Sequence, residues 1–227
     1  MPKNKSETHE IILRAARAEF SECGFEKASI REIAARAGVT SAALYRHCAN
    51  KEDLFCQLVE PSVKAFRLWR KNHISLKYMQ MEQNIPVSEL LKNNDIDMVR
   101  EVIYPHREDF RLILTKAKGT RYENFLHDVV NEDQKEMIKV LEFLKTRGKN
   151  VVEFSEKEMH MILSSAYTAM LEPVVHNYSM GETEHCLAVM EKFFMPGWQK
   201  IMGFYFFMLL SFLKNGNKRA EENARIN

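Results

Sequence analysis

The stretch SIREIAARAGVTSAALYRH, residues 29–47, packs hydroxyls, guanidinium groups and an imidazole into a short span, with Lys51 just beyond. Such donors suit phosphate oxygens and the edges of bases. Their spacing also has a layout. Ile30, Ile33, Ala34 and Ala37 recur at helical intervals, and Gly38 stops that helix. Only Val39 and Thr40 separate it from a second short helix, Ser41 to about His47. Two short helices joined by a turn with glycine at its start are the arrangement of a helix-turn-helix. Ala34 and Ala35 let the two helices approach, and Gly38 takes a positive φ without a Cβ clash. Val39 and Leu44 are the apolar plugs that set the crossing angle. The outer face of the second helix is then free to enter a major groove.

A helix-turn-helix pattern by itself is also compatible with plain helix packing. The tetrad LYRH and the KED that opens the next helix carry it further. Residues 8–59, through ILRAARAEFSECGFEKASIREIAARAGVTSAALYRH and then CANKEDLF, resemble the N-terminal domain of the TetR family of transcriptional regulators. The resemblance covers about the first quarter of the chain; the remainder agrees in layout only. Ala43 stands where the family often has Gly or Thr, which bears on base readout. Cys48 replaces a usual Phe, which bears on packing beneath the third helix. The resemblance implies that Ser41, Ala42 and Ala43 begin a recognition helix. Two alanines offer only methyl contact to thymine, so direct readout is sparse. Arg46 reaches either a guanine or a phosphate, and Arg31 is a second candidate for guanine. Thr40, Tyr45, His47 and Lys51 are expected at phosphates, with Ser29 and Lys51 placed at helix N-termini, which favour anions. Residues 1–60 hold nine Lys/Arg against nine Asp/Glu, so the domain is not strongly basic; dimerisation on the expected palindromic double-stranded operator would double the weak phosphate contacts, with moderate salt sensitivity.

Other constellations are looser. Lys64, Arg67, Arg70 and Lys71 fall on adjoining faces of one helix, either as a solvated surface or as partners for an anion. Polar groups among aromatics suggest a ligand cavity for a small-molecule effector: His73, Tyr104, His106, Arg107, Tyr122, Tyr167, Glu172 and His176. Glu172 and His176, one helical turn apart, form either a ligand-orienting pair or a hydrogen-bonded structural one; nothing completes a metal set. Thirteen methionines suit an adaptable apolar lining or plain core. An apolar stripe, Phe193, Phe194, Trp198, Ile201, Met202 and Tyr205, runs along the last helix. With Met159, Leu163 and Met170 it could supply half of an intersubunit four-helix bundle, and the resemblance implies a homodimer of this kind. The apolar run 201–213 is shorter than the roughly 17–25 residues a membrane span needs. It reads as an extension of the dimer interface, with a membrane-associated interaction tail as the alternative.

The elements that must position these groups are helices. No long alternation of apolar and polar residues occurs; Asn150 to Phe154 is the nearest and is too short to found a sheet. Cap signatures, a Ser or Thr with Glu three residues on, stand at Ser29/Glu32, Thr120/Glu123, Ser155/Glu158 and Ser179/Glu182, with Asn50/Asp53 a looser version. The first helix is expected from Thr8 to Cys23, ended by Gly24. A fourth follows Asn50, carries Leu54, Phe55, Leu58 and Val59 inward, and should kink at Pro61. A break is expected from about 72 to 95. Later helices are expected near 96–104, 106–117, 121–147, 156–177 and 182–213. The fold class is therefore all-α: a three-helix DNA-binding domain over 1–59 and a larger helical ligand-binding and dimerisation domain over 60–227.

The 227 residues are enough for a core without disulfides. Hydrophobics at 45% and charged residues at 28% exclude a disordered chain. The net charge of +2 decides nothing alone. The four cysteines include no C-x-x-C pair, which argues against a zinc knuckle or a disulfide framework. MPKNKSETHE has no apolar segment of the secretory kind, so a cytoplasmic location is expected. No G-x-S-x-G, P-loop, H-E-x-x-H or dinucleotide glycine motif is present; no catalytic residue, cofactor or metal is assigned.

Overall fold

A computed structural model describes residues 5–82 and 97–202, and every regular element among them is helical. In chain order they are α1 (Lys5–Lys27), α2 (Ile30–Ala37), α3 (Ser41–Leu44), α4 (Lys51–Glu82), a π-helical turn (Val99–Ile103), α5 (Arg107–Lys116), α6 (Phe125–Thr146), α7 (Glu156–Val175) and α8 (Met180–Ile201). The all-α expectation holds. The chain divides into two compact units, Met1–Asp128 with Leu171–Glu184, and Val129–Met170 with His185–Asn227.

In the first unit α1 buries Ile12, Ala15, Ala16 and Phe20, at the three-and-four spacing of one helix face. Phe20 meets the Phe55 ring edge-on with centroids 5.2 Å apart, and Phe25 meets Phe55 at 5.7 Å. These offset contacts suit the aromatic quadrupole better than face-to-face stacking. Leu54, Phe55, Leu58 and Val59 of α4 are all buried, as their spacing predicts. Farther along α4, Phe66 packs against Phe110 of α5 and Phe125 at the start of α6, at 5.8 and 5.7 Å.

Helix boundaries differ from expectation at α3, which stops at Leu44 rather than about His47, and at α4. Gly24 leaves helical dihedrals (φ 77°, ψ 164°), yet the chain resumes a helical turn to Lys27. It ends the first helical run as expected, and a separate helical turn follows. The fourth helix does not break near 72; it runs through Pro61 to Glu82. Pro61 itself is exposed, while Val63 and Phe66 beyond it are buried. Their packing outweighs the one backbone hydrogen bond lost at Pro61, and Gln, unlike Asn, is a good helix former. The rest of the expected break, with Pro86, lies outside the described residues.

The caps sort cleanly. Ser155 and Glu158 form the full reciprocal box: Glu158 Oε2 accepts from Ser155 N–H at 2.8 Å and Ser155 Oγ accepts from Glu158 N–H at 3.3 Å. Ser179 and Glu182 repeat it at the same distances. Thr120 does not start a helix; its hydroxyl donates to the Ala117 carbonyl and accepts from Tyr122 N–H, making a turn before α6.

In the second unit Val129, Val130, Leu141 and Leu144 of α6 are buried, as are Met159, Leu163 and Met170 of α7 and Leu187 of α8. The Tyr167 hydroxyl donates to Asp133. The short alternating segment after α6 is tied to α8 by Val152 N–H, which donates to the Ile201 carbonyl at 2.9 Å.

A candidate nucleic-acid interface on the first three helices

Side-chain caps and one buried acid hold α2 and α3 in place. Ser29 caps α2, its Oγ accepting from Arg31 N–H at 3.2 Å. The reciprocal carboxylate is not Glu32, as expected, but Glu19 of α1, whose Oε1 accepts from Ser29 N–H at 3.3 Å. Glu19 Oε2 also meets Arg36 Nε at 3.3 Å, and Arg36 closes on Glu22 with both terminal nitrogens. That hydrogen bond from Arg36 lowers the Glu22 pKa. One buried acid on α1 therefore fixes both ends of α2. Its signal was visible, because Glu19 lies on the same face as Ala15, Ala16 and Phe20.

Gly38 adopts the left-handed conformation (φ 66°, ψ 33°), and its N–H bonds back to the Ala35 carbonyl at 3.1 Å. Of the two alanines expected between the helices, Ala34 is buried and Ala35 is exposed. The i, i+1 step turns Ala35 to solvent. Thr40 caps α3 by accepting from Ala43 N–H at 3.1 Å, and Leu44 is fully buried beneath it. Cys48, in place of the usual aromatic, is buried with its thiol toward the Leu44 carbonyl; burial raises its pKa.

With Leu44 inward, Ala42, Tyr45 and Arg46 are exposed, Tyr45 at 53%. Positions i, i+3 and i+4 share one helical face. Arg31 and Thr40 are exposed too, while Ser29, Ser41, Ala43 and His47 are half-buried. His9, which sequence reasoning did not single out, stacks on His47 with ring centroids 5.6 Å apart. Its signal was a lone histidine one turn before the buried Ile12.

Lys51 is the correction. Rather than pointing to a phosphate, its ammonium donates to the carbonyls of Phe25 (2.7 Å), Ala28 (3.0 Å) and Glu26 (3.2 Å). It also lies 4.5 Å above the Phe25 ring. The orphan carbonyls at a helix C-terminus attract a cation, and they use all three of its protons.

The groups expected around an effector fall in both units, and several are paired locally. In the first unit Tyr122 is buried and donates to Glu60; burial, then that acid, pushes its pKa well up. His73 stacks on Trp69 at 4.5 Å, and the Arg107 guanidinium lies 5.1 Å over the Tyr104 ring. His106 is the N-cap residue of α5, without a side-chain cap bond. Glu172 and His176 pair at 2.8 Å on an exposed surface, the structural alternative. Tyr167 belongs to the second unit. Among the described residues no three His, Cys, Asp or Glu side chains form a metal site.

The expected dimer stripe is also redistributed. Met159, Leu163, Met170 and Met202 are buried within the chain, because α7 and α8 use those faces for their own core. Phe193 is 74% exposed, with Val189 one turn before it and Met161 on α7 also exposed. Phe194, Trp198 and Ile201 are half-buried. Tyr205 and the run to residue 213 beyond Met202 lie outside the described residues. Among the described residues no helix is long and apolar enough to cross a membrane.

Comparison with known proteins bears on this geometry. Residues 12–58 match the family model of bacterial regulatory proteins of the tetR family, the span from the first core residue of α1 to the buried Leu58. A solved structure described as a gamma-butyrolactone receptor (ArpA-like protein) is similar in fold, with a TM-score of 0.52 at 22% identity, over 82% of this chain and 84% of that one. A putative TetR-family regulator from Mesorhizobium loti has 18% identity and a TM-score of 0.45, over 85% and 98% of the two chains. NalD, the secondary repressor of the MexAB-OprM multidrug efflux pump in Pseudomonas aeruginosa, has 21% identity and a TM-score of 0.42, over 83% and 97%. The family match is thus confined to the N-terminal helices, residues 12–58, which are similar to the bacterial regulatory proteins of the tetR family.

Proposed function

We propose that this protein is a homodimeric, sequence-specific DNA-binding regulator of transcription, a repressor released from its operator by a small molecule. The observation that supports the reading is the exposed face of Ala42, Tyr45 and Arg46, held outward by a fully buried Leu44 and by side-chain caps at the start of each helix of the motif. Residues 1–59 serve as the DNA-binding domain and residues 60–227 as the effector and dimerisation domain. Tyr45, Thr40 and His47 hold phosphates; Arg46 and Arg31 are the side chains long enough to reach base edges. With alanines at 42 and 43, much of the selectivity falls to DNA shape. Two such motifs in a dimer address half-sites about 34–36 Å apart. An effector that binds better to a dimer with another separation weakens DNA binding by its differential affinity.

The test is selection of genomic DNA fragments by purified protein across a salt titration, followed by affinity measurements with Tyr45→Ala. Enrichment of one short palindrome, lost in the variant while the dimer and its melting temperature persist, is the expected result. Equal retention of all fragments, or unchanged operator affinity in the variant, overturns the assignment.

A further inference from the structure

Within the first unit, α1 and α5 meet along a seam built on one carboxylate. Asp109 is only 8% exposed. It accepts from Arg17 of α1 through Oδ1 and from the fully buried Ser62 of α4 through Oδ2. Three helices are thus tied at a single acid, and the Arg17 guanidinium also lies 3.9 Å from Glu108.

Beside this junction the seam opens into a cavity of about 520 Å³, within the roughly 300–1,000 Å³ usual for small-molecule sites. Its α5 wall is the stripe Glu108, Arg111, Leu112, Thr115 and Lys116, spaced i, i+3, i+4, i+7 and i+8. Ser21 of α1 lies across from them, and Val175 adds an apolar patch. The charges on this wall are unevenly satisfied. Glu108 has Arg17 as its partner, whereas neither Arg111 nor Lys116 has a carboxylate partner among the described residues. Two hydroxyls stand near them: that of Thr115 donates to the Arg111 carbonyl at 2.7 Å and keeps its acceptor sites. A planar guanidinium beside an ammonium suits a carboxylate, and Leu112 with Val175 suits a short aliphatic body.

We propose that this seam is a binding site for a small organic carboxylate, and that its occupant regulates the protein by acting on the distance across which Arg17 reaches Asp109. None of the polar groups that the sequence suggests for an effector lines this cavity. The binding half stands apart from the DNA reading; the regulatory half rests on it.

The experiment titrates the full chain with hexanoate at low salt by calorimetry, with hexanol as the uncharged control and amide chemical shifts to place the contact. Saturable binding of hexanoate with shifts at Ser21 and Thr115, no binding of hexanol, and about a tenfold weakening in the Arg111→Gln/Lys116→Gln variant are expected. The two substituted side chains are not core, so an unchanged melting curve is expected to accompany the loss. Equal hexanoate affinity in wild type and variant, or equal affinity for hexanol, overturns the site. Operator affinity with and without hexanoate tests the second half: a threefold or greater change in wild type, absent in the variant, is expected. An unchanged operator affinity with hexanoate bound overturns the regulation. A chain that binds hexanoate at Ser21 and Thr115 but no DNA would count against the proposed function and leave the site standing.

Discussion

The helix-turn-helix region and the α7–α8 region treat apolar surface in opposite ways. In the former, Ile12, Phe20, Ile33, Leu44, Leu54 and Phe55 are all fully buried within one chain. Its polar groups are tied to backbone as well: Glu19 to the start of α2, Thr40 to α3, and Lys51 to the end of α1. In the latter, Phe193, Val189 and Met161 remain exposed although the same helices bury Met159, Leu163 and Leu187. An exposed face of this kind suits the proposed dimer. The difference teaches that the first region closes its apolar surface on itself, whereas the second leaves large apolar side chains uncovered among the described residues.

Truncating a phenylalanine in each region should break the comparison if it is wrong. Phe20→Ala should destabilise the fold by about 3–5 kcal/mol, since it leaves a cavity among rings that cannot collapse. Thermal or urea unfolding measures this. Phe193→Ala should barely move that stability, yet weaken self-association by about 2 kcal/mol, roughly thirtyfold in dissociation constant. Sedimentation equilibrium reads the second effect; a monomeric wild type would remove the basis for the contrast.

Lys51→Met gives a smaller and more diagnostic effect. It leaves three carbonyls without their ammonium donor, so a stability loss of about 1–3 kcal/mol is expected. DNA affinity should fall only as far as the domain is loosened. A variant that melts normally but loses DNA with a shallower salt dependence would return Lys51 to the phosphate.

The smallest effect concerns the α7 cap. Hydrogen bonds from Ser155 N–H and Oγ lower the pKa of Glu158. A group whose folded pKa is depressed stabilises fully above its ordinary value and loses that contribution as pH falls through the folded value. Ser155→Ala should therefore lower the melting temperature slightly at neutral pH, and much of that difference should vanish in acid. A gap that is the same at both pH values would show the serine acting without its glutamate.

The helix-turn-helix was legible because its cues are local. Gly38 needs a positive φ, Leu44 must be buried for Tyr45 and Arg46 to be exposed, and Thr40 caps its own helix. The Ser155 and Ser179 boxes are local in the same sense, each closing within one turn. Asn50 and Asp53 nearly complete a third, since Asn50 Oδ1 accepts from Asp53 N–H and Asp53 Oδ2 from Ala49 N–H.

What the chain could not announce was which distant group would take each polar side chain. By itself the sequence determined the helical class, the motif, the outward face of α3 and the two closed cap boxes. All depend on residues within about one helical turn, where spacing dictates geometry. Only the tertiary structure decided that Glu19 rather than Glu32 serves Ser29, that Lys51 turns inward, and that Asp109 joins Arg17 to Ser62. It also decided which methionines of α7 belong to the chain's own core. These are contests between partners far apart in sequence, and burial, which no local spacing encodes, settles them.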